Sequence, residues 1–595
     1  MNPIPARLQA LRAAMQAQQV DACLIPSADP HLSEYLPPRW QAREHFSGFT
    51  GSVGTLIVTA SFAGLWVDSR YWSQAENELA GTGISMMKIQ SAAATTYLEW
   101  LAQHLAAGQV LAADGMVLGL ATARMLQAQA GKSGFSLRTD LDVAGLVWEN
   151  RPALPDAPVY QHTAPFAVIS RKDKLARLRS RMTELQATAH LISTVDDIAW
   201  LLNLRGADVS YNPVFIAHLL IGTEQAQLFV ADGKVSPALA TELAQDGVIV
   251  RDYHQAVPAL GELASGQRML IDPRRVTFGL RAAIPASVTM IEAINPTVFF
   301  KSRKNAEEAA FVREAMEQDG AALCEFFAWF EASIGKERIT ELTIDEKICA
   351  ARAKQPHFVS PSFGTIAGFN ANGAMPHYRA TKDAHAVIEG NGLLLIDSGG
   401  QYLNGTTDIT RVVAVGSVSA DQKRDFTLVL KGMINLSRAH FPVGTLSPML
   451  DALARAPLWA EGINFGHGTG HGVGYFLNVH EGPQSISGAM TEAHMAMEAG
   501  MITSNEPGIY RPGKWGVRIE NLLLNIEASN TEFGQFLAFE TLTLCPIDTR
   551  CIAKELMTVE EIRWLNTYHA EVRKRLAPRV SGAALAWLEK FTEAI

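Results

Sequence analysis

Asp397 and Asp408 stand with ten residues between them, each at the end of an apolar run. The first run is Gly392 to Ile396, and the second returns as Asp408-Ile-Thr-Arg-Val-Val-Ala-Val. The glycines and asparagine between them are turn residues, so the pattern predicts a β-hairpin whose two strands each deliver a carboxylate. Two buried acids repel each other, and a proton or a cation has to sit between them. The nearby chain offers no lysine for that role, which points to metal.

Further along lies Phe465-Gly-His-Gly-Thr-Gly-His-Gly-Val-Gly. His467 and His471 have the four-residue spacing of a helical zinc pair. Glycine at 466, 468, 470, 472 and 474 argues against a helix, at about 1 kcal/mol for each glycine. As an extended segment the same residues put both histidines on one face and leave the other open to a ligand or a second backbone. His480 follows in Asn478-Val-His-Glu-Gly-Pro. A lone histidine is usually structural; two in a glycine ladder with a third close behind read as a functional site. Glu506 ends an apolar strand at the Pro507-Gly508 turn and is either a turn-surface residue or a site residue. Arg518 and Glu520 lie two apart in the alternating run Trp515 to Leu524, where the plain reading of the pair alone is a shared-face ion pair.

Taken together, Asp397, Asp408, His471, Glu506 and Glu520 make four carboxylates and one imidazole. That oxygen-rich set suits Mn²⁺, Co²⁺, Fe²⁺ or Zn²⁺ better than a thiolate zinc site. One divalent ion does not need four carboxylates. Two ions about 3.5–4 Å apart, bridged by shared carboxylates, would use them all.

The elements that must position these residues are legible in outline. Leu8, Leu11 and Met15 share a helical face, and Ala22-Cys-Leu-Ile-Pro reads as a buried strand. Strands follow at 53–60, 64–71 and 109–113. The order then recurs. Lys174, Leu175, Leu178 and Met182 repeat Arg7, Leu8, Leu11 and Met15 at an offset of 167 (175 − 8). Ala189-His-Leu-Ile-Ser matches Ala22-Cys-Leu-Ile-Pro, Leu228-Phe-Val matches Leu65-Trp-Val, and Leu270-Ile-Asp resembles Ala112-Ala-Asp. Matches in one order predict two copies of an α/β unit. A proline-rich linker runs through Glu149-Asn-Arg-Pro-Ala-Leu-Pro. The domains expected are 1–155, 156–302 and 303–595, the last closing with helices near 559–575 and 582–593. Trp564 and Trp587 would anchor those helices to the core or to another subunit.

Composition limits the alternatives. At 595 residues, 48% apolar and 19% charged, the chain is folded and multidomain. A net charge of −9 without a basic stripe argues against nucleic acid. No stretch reaches the roughly 20 apolar residues of a membrane span, and the N-terminus lacks a signal-peptide pattern. Five scattered cysteines argue against a disulfide framework and fit a reducing cytoplasm.

The order Asp-x10-Asp, Gly-His-Gly-x-Gly-His-Gly, Asn-Glu-Pro-Gly and Arg-Ile-Glu-Asn resembles the pita-bread metallopeptidases of the M24 class, which include methionine aminopeptidase, prolidase and Xaa-Pro aminopeptidase. Two creatinase-like N-terminal α/β domains before an α+β pita-bread catalytic domain look like the large cytosolic Xaa-Pro aminopeptidases, the aminopeptidase P group. Asn372-Gly-Ala-Met-Pro-His-Tyr, Phe476-Leu-Asn-Val-His-Glu-Gly-Pro and Arg43-Glu-His-Phe-Ser-Gly-Phe-Thr-Gly-Ser carry the same likeness. The resemblance implies that Asp397 chelates one metal, Asp408 and Glu520 bridge two, and His471 and Glu506 complete the other, most often with Mn²⁺. It makes His377, His467 and His480 substrate-site residues and Arg518 an orienting residue for Glu520 or its neighbours. It implies hydrolysis of the Xaa-Pro bond of short peptides through a metal-bridging hydroxide, with Glu506 or a carboxylate beside it as proton acceptor. It also implies a cytoplasmic homodimer; the N-terminal domains, which carry no metal-like constellation, would either partly close the entrance or serve as scaffold and dimer contacts. A prolidase-type dipeptidase and a non-catalytic peptide-binding module are the alternatives.

Overall fold

The computed structural model describes residues 2–90, 95–489 and 492–595. The chain forms two compact units, one of Met1–Thr163 with Ile169–Thr297, the other of Ala164–Val168 with Val298–Ile595.

The first unit holds both repeats. Helix α1 (Ile4–Ala17) buries Ile4, Leu8, Leu11 and Met15. Strand β1 (Ala22–Pro26) is followed by β2 (Thr55–Thr59), β3 (Ala63–Val67), β4 (Ser85–Lys88), β5 (Val110–Ala112) and β6 (Ser136–Arg138), and the sheet runs β4-β3-β2-β1-β5-β6. In the second copy, α2 (Arg171–Glu184) buries Lys174, Leu175, Leu178 and Met182, the positions the repeat predicts. Its strands are β7 (Ala189–Ile192), β8 (Ala217–Gly222), β9 (Ala226–Val230), β10 (Val248–Asp252), β11 (Arg268–Ile271) and β12 (Thr289–Glu292), in the order β10-β9-β8-β7-β11-β12. The strand directions agree pair by pair. The offset falls from 167 to 163 at Leu65/Leu228 (228 − 65) because the connecting loops differ in length. The strand expected over 64–71 stops at Val67, where Asp68 accepts from the backbone N–H of Arg70 at 3.1 Å and turns the chain.

In the second unit, helix α3 (Ala306–Ser333) starts at a capping box made by Asn305 and Glu308. Helix α4 (Glu341–Arg352) starts at a second one, Thr340 with Thr343. Strands β13 (Ile366–Phe369), β14 (Gly392–Ser398) and β15 (Ile409–Val415) form an antiparallel sheet in sequence order. Phe326, Phe327 and Phe330 of α3 share a buried apolar cluster with β14 and β15. Next come α5 (Ala420–Ser437), β16 (His440–Pro442) and α6 (Ser447–Trp459). Then follow β17 (Gly470–Gly472), β18 (Glu481–Ile486), β19 (Ile502–Asn505), β20 (Gly508–Arg511), β21 (Trp515–Arg518), β22 (Asn521–Thr531) and β23 (Gly534–Thr541). A six-stranded sheet runs β16-β23-β22-β19-β17-β18, and β20 with β21 forms a separate two-stranded sheet. Helices α7 (Val559–Leu576) and α8 (Gly582–Phe591) close the chain, with Trp587 stacked on Phe327 at 5.3 Å. Trp587 therefore anchors its helix to this unit's own core. All five cysteines are free.

Two local expectations need correction. The hairpin joining Asp397 to Asp408 contains a smaller hairpin of its own, Gly400–Tyr402 against Gly405–Thr406. The run from Trp515 to Leu524 is not one strand. It breaks at Ile519-Glu520, where the Glu520 N–H donates to the Thr410 carbonyl at 3.2 Å and the chain passes from one sheet to another.

Candidate metal centre

Six strands meet at the four predicted acids and the histidine. Asp397 lies near the end of β14, paired with Thr410, and Asp408 immediately precedes β15. His471 is the middle residue of β17. Glu506 follows β19, and Glu520 sits in the break between β21 and β22. Asp397, Asp408 and Glu520 are buried and Glu506 is half-buried.

Asp408, His471 and Glu520 each present one ligand atom, and these atoms all lie within 4.8 Å of one another. His471 Nε2 is 3.4 Å from Asp408 Oδ2 and 3.5 Å from Glu506 Oε1. The Nδ1 of His471 faces the Gly472 carbonyl at 2.9 Å. A carbonyl only accepts, so Nδ1 carries the proton, and Nε2 is the atom turned to the carboxylates.

The glycine ladder lets other backbones close on β17. A Cβ on Gly470 would meet the Ser504 carbonyl at 1.9 Å, and one on Gly472 would meet the Glu481 carbonyl at 2.1 Å. Only Gly470–Gly472 is strand, however, so the single histidine-bearing face expected for 467 and 471 does not form. His467 turns instead to the Tyr510 hydroxyl at 2.8 Å. His480 meets His471 edge to face, with ring centroids 4.3 Å apart. His377 is half-buried in the turn after the short helical segment Asn370–Ala374.

Arg518 does not pair with Glu520. Its Nη2 donates to Asp397 Oδ2 at 2.5 Å, its Nη1 to the Tyr510 hydroxyl at 2.8 Å and its Nε to Thr410 Oγ1 at 3.2 Å. Thr410 Oγ1 in turn donates to Glu520 Oε2 at 2.9 Å. Ser504 Oγ accepts from the His471 N–H at 2.9 Å and donates to Glu506 Oε1 at 3.0 Å. Thr410, Ser504 and Tyr510 were not singled out in the sequence. The first two stand two residues from Asp408 and Glu506, the spacing of a shared strand face, and that was the available signal.

The protonation of the site reflects crowded charge. Burial pushes the Asp397 carboxyl up to about 7, with Asp408 and Glu506 adding to the push and Arg518 opposing it. Burial and the neighbouring carboxylates hold Glu520 well above the usual range, and burial raises Glu506 as well. Burial alone would depress His471, but Asp408 and Glu506 hold it up to about 9. Asp397 Oδ1 and Glu520 Oε1 are buried without a hydrogen-bond partner. Four acids against one guanidinium and one imidazole, with two orphaned carboxylate oxygens, form a donor set that fits divalent cations.

The chain is similar to known metallopeptidases along its whole length. The model of metallopeptidase family M24 matches residues 310–526, and that of the C-terminal region of peptidase M24 matches 535–595. Two models of the creatinase/prolidase N-terminal domain match 7–151 and 150–308. A probable Xaa-Pro aminopeptidase P of Aspergillus niger is 37% identical, with 99% of this chain and 98% of that protein covered. One of Ajellomyces dermatitidis is 37% identical over the whole of both chains. The crystal structure of a Caenorhabditis elegans X-prolyl aminopeptidase, described as a cytosolic enzyme with a di-nuclear active site, superposes with a TM-score of 0.95 at 31% identity, covering 99% of each chain. A Bacillus anthracis Xaa-Pro dipeptidase shares the fold over 64% of this chain, at 23% identity and a TM-score of 0.51.

Proposed function

The chain belongs to metallopeptidase family M24, and from that premise we propose that it is a dinuclear-metal aminopeptidase that removes the first residue from short peptides with proline in second place. The observation that carries this reading is the convergence of Asp397, Asp408, His471, Glu506 and Glu520 in one pocket, with buried carboxylate oxygens left unsatisfied. Full-length relatives named as Xaa-Pro aminopeptidases support the proline preference.

In this reading Asp408 and Glu520 would be shared by two ions, Asp397 would help hold one of them, and His471 and Glu506 would help hold the other. Bound there, two divalent ions would polarise the scissile carbonyl and make water a nucleophile at neutral pH. Mn²⁺ suits the donors, four carboxylates with one imidazole. Arg518 holds Asp397 through one bond and Thr410 through another, so its charge fixes the pocket's acids without becoming a ligand. Glu506 accepts the proton of the attacking water, and Ser504 orients it. His480 donates to the developing oxyanion, and His467 and His377 line the substrate side. The prolyl nitrogen, like any amide nitrogen, leaves as an amine only after gaining a proton, and the proton that Glu506 took from the water balances that step.

The test is hydrolysis of Ala-Pro-Ala, Ala-Pro and Ala-Ala-Ala. Cleavage of the Ala–Pro bond of the first peptide, with Ala-Ala-Ala intact, is the expected result. Turnover of the dipeptide alone would make the protein a prolidase, and no turnover with metal bound would make it a binding module.

We place the enzyme in the cytoplasm, consistent with its free thiols and its cytosolic C. elegans relative. Among the described residues no helix is long and apolar enough to cross a membrane. We also propose that it is a homodimer. The outward positions of α6 are Met449, Leu453, Ala456 and Trp459, all apolar, while its charged residues Asp451 and Arg455 are buried and paired at 2.6 Å. Leu453→Glu combined with Trp459→Glu should shift the mass seen by light scattering from two chains to one. An unchanged mass would place the contact elsewhere, or show that there is none.

A further inference from the structure

Glu341 is the first residue of α4, far in sequence from every residue of the pocket, and it is fully buried. Its carboxylate collects donors from a single downstream stretch. Oε1 accepts from the Phe369 N–H at 2.7 Å and from Asn372 Nδ2 at 3.0 Å. Oε2 accepts from the Tyr378 hydroxyl at 2.8 Å, from the Ala386 N–H at 2.7 Å and from Asn372 Nδ2 at 3.1 Å. The Glu341 N–H returns a bond to the Ala386 carbonyl at 3.1 Å. One side chain therefore ties together the start, middle and end of residues 369–386, and His377 lies inside that stretch, next to Tyr378.

The stretch also lies against the machinery. The segment Asn370–Ala374 packs on β14, which carries Asp397, and on β21, which carries Arg518. The approach to β21 is close: a Cβ on Gly516 would sit 1.7 Å from the Gly373 carbonyl. Its position is therefore fixed on one side by β21 and on the other by Glu341.

A buried carboxylate with this many donors is more than a helix-start acid. An acid at the first turn is ordinary, because the helix dipole favours it. Four donor residues brought to it from one loop are not required by the helix. They serve the loop, which forms neither helix nor strand from Met375 to Ala386 and whose own backbone bonds are confined to turns, Tyr378 N–H to the Met375 carbonyl at 3.0 Å and the reciprocal Thr381–Ala384 pair at 2.9 and 3.2 Å.

We propose that Glu341 is the positioning residue for His377, holding the 369–386 stretch so that the imidazole stays on the substrate side of the pocket. The inference rests on the substrate-side reading of His377 given above. Glu341 does not touch the metal-ligating acids and takes no part in proton transfer. Replacing it with glutamine keeps the size but leaves one accepting oxygen where two are used, and turns an NH₂ group toward N–H donors.

The test is kinetic, on the full metal-loaded chain with Ala-Pro-Ala, using Glu341→Gln, His377→Ala and the double variant. Glu341→Gln should keep its full metal content and lose about 10- to 100-fold in kcat/KM, in the range seen when supporting shells of a site are disturbed. On the His377→Ala background the same change should cost less than about threefold, because residues acting as a unit are not additive. Tyr378→Phe, which removes one donor without emptying the site, should show a smaller loss with the same pattern. A full loss on the His377→Ala background, or loss of metal from Glu341→Gln, overturns the proposal. Undiminished activity of His377→Ala overturns it together with the role given to His377, and a parent chain inert toward Ala-Pro-Ala overturns both along with the proposed function.

Discussion

Asp408→Asn yields a folded protein that neither holds metal nor cleaves Ala-Pro-Ala. Asp408 is buried, and its Oδ2 lies 3.4 Å from His471 Nε2 in the cluster with Glu520. Asparagine keeps the shape but removes the charge and presents an amide where a cation needs a carboxylate oxygen. Loss of an outer partner of a metal ligand already costs 10- to 100-fold in affinity, so loss of a bridging ligand should cost more than about 100-fold. The ions' contribution to the transition state is several kcal/mol, and kcat should fall by about 10³ or more. The metal-free variant should melt close to the metal-free parent, because one acid fewer relieves the repulsion that raises Glu520 while the lost contact with His471 offsets that gain. Metal analysis, melting and turnover on one preparation check all three parts. Full activity in Asp408→Asn would remove the bridging role from this residue.

His480→Ala separates chemistry from metal binding. The His480 ring stands edge to face on His471 at 4.3 Å, while His471 is held separately by the Gly472 carbonyl and Ser504. Removing the His480 imidazole therefore leaves the ligand's orientation in place. Metal content should match the parent, KM should move little, and kcat should fall by about 10²–10³, the cost of losing one oxyanion donor. A fall in metal content equal to the fall in kcat would make His480 a support for the metal rather than a donor to the substrate.

The four acids and one imidazole proposed as ligands were legible because their residue types are expensive to bury in such number, and the flanking apolar runs and glycines said they were buried. Their geometry was not. The glycine ladder correctly indicated close backbone approach at 470 and 472, but not that the strand is only three residues long. Alternation over Trp515 to Leu524 suggested one strand, because a strand that leaves one sheet for another keeps the same alternation. The break shows only in Thr410, across the pocket, which takes the Glu520 N–H. Arg518 sits two residues from Glu520 but bonds to Asp397, a choice made between strands that no local spacing records. The duplicated sheets were visible through helix faces and strand cores, whose packing preserves residue type. Glu341 was invisible for the opposite reason: an acid at a helix start is so common that nothing marked it.

The most direct test of a five-residue, two-ion centre is to strip the protein of metal and titrate Mn²⁺ back in a calorimeter near pH 7, following proton release and Ala-Pro-Ala cleavage together. His471, held up to about 9, is protonated at pH 7 in the metal-free chain, and Glu520 is held well above the usual carboxylate range. A cation must displace such protons, so binding should release protons and weaken as pH falls. Activity should return in step with two equivalents of Mn²⁺ per chain. Cleavage by the stripped protein, or saturation at one equivalent with full activity, would contradict the account.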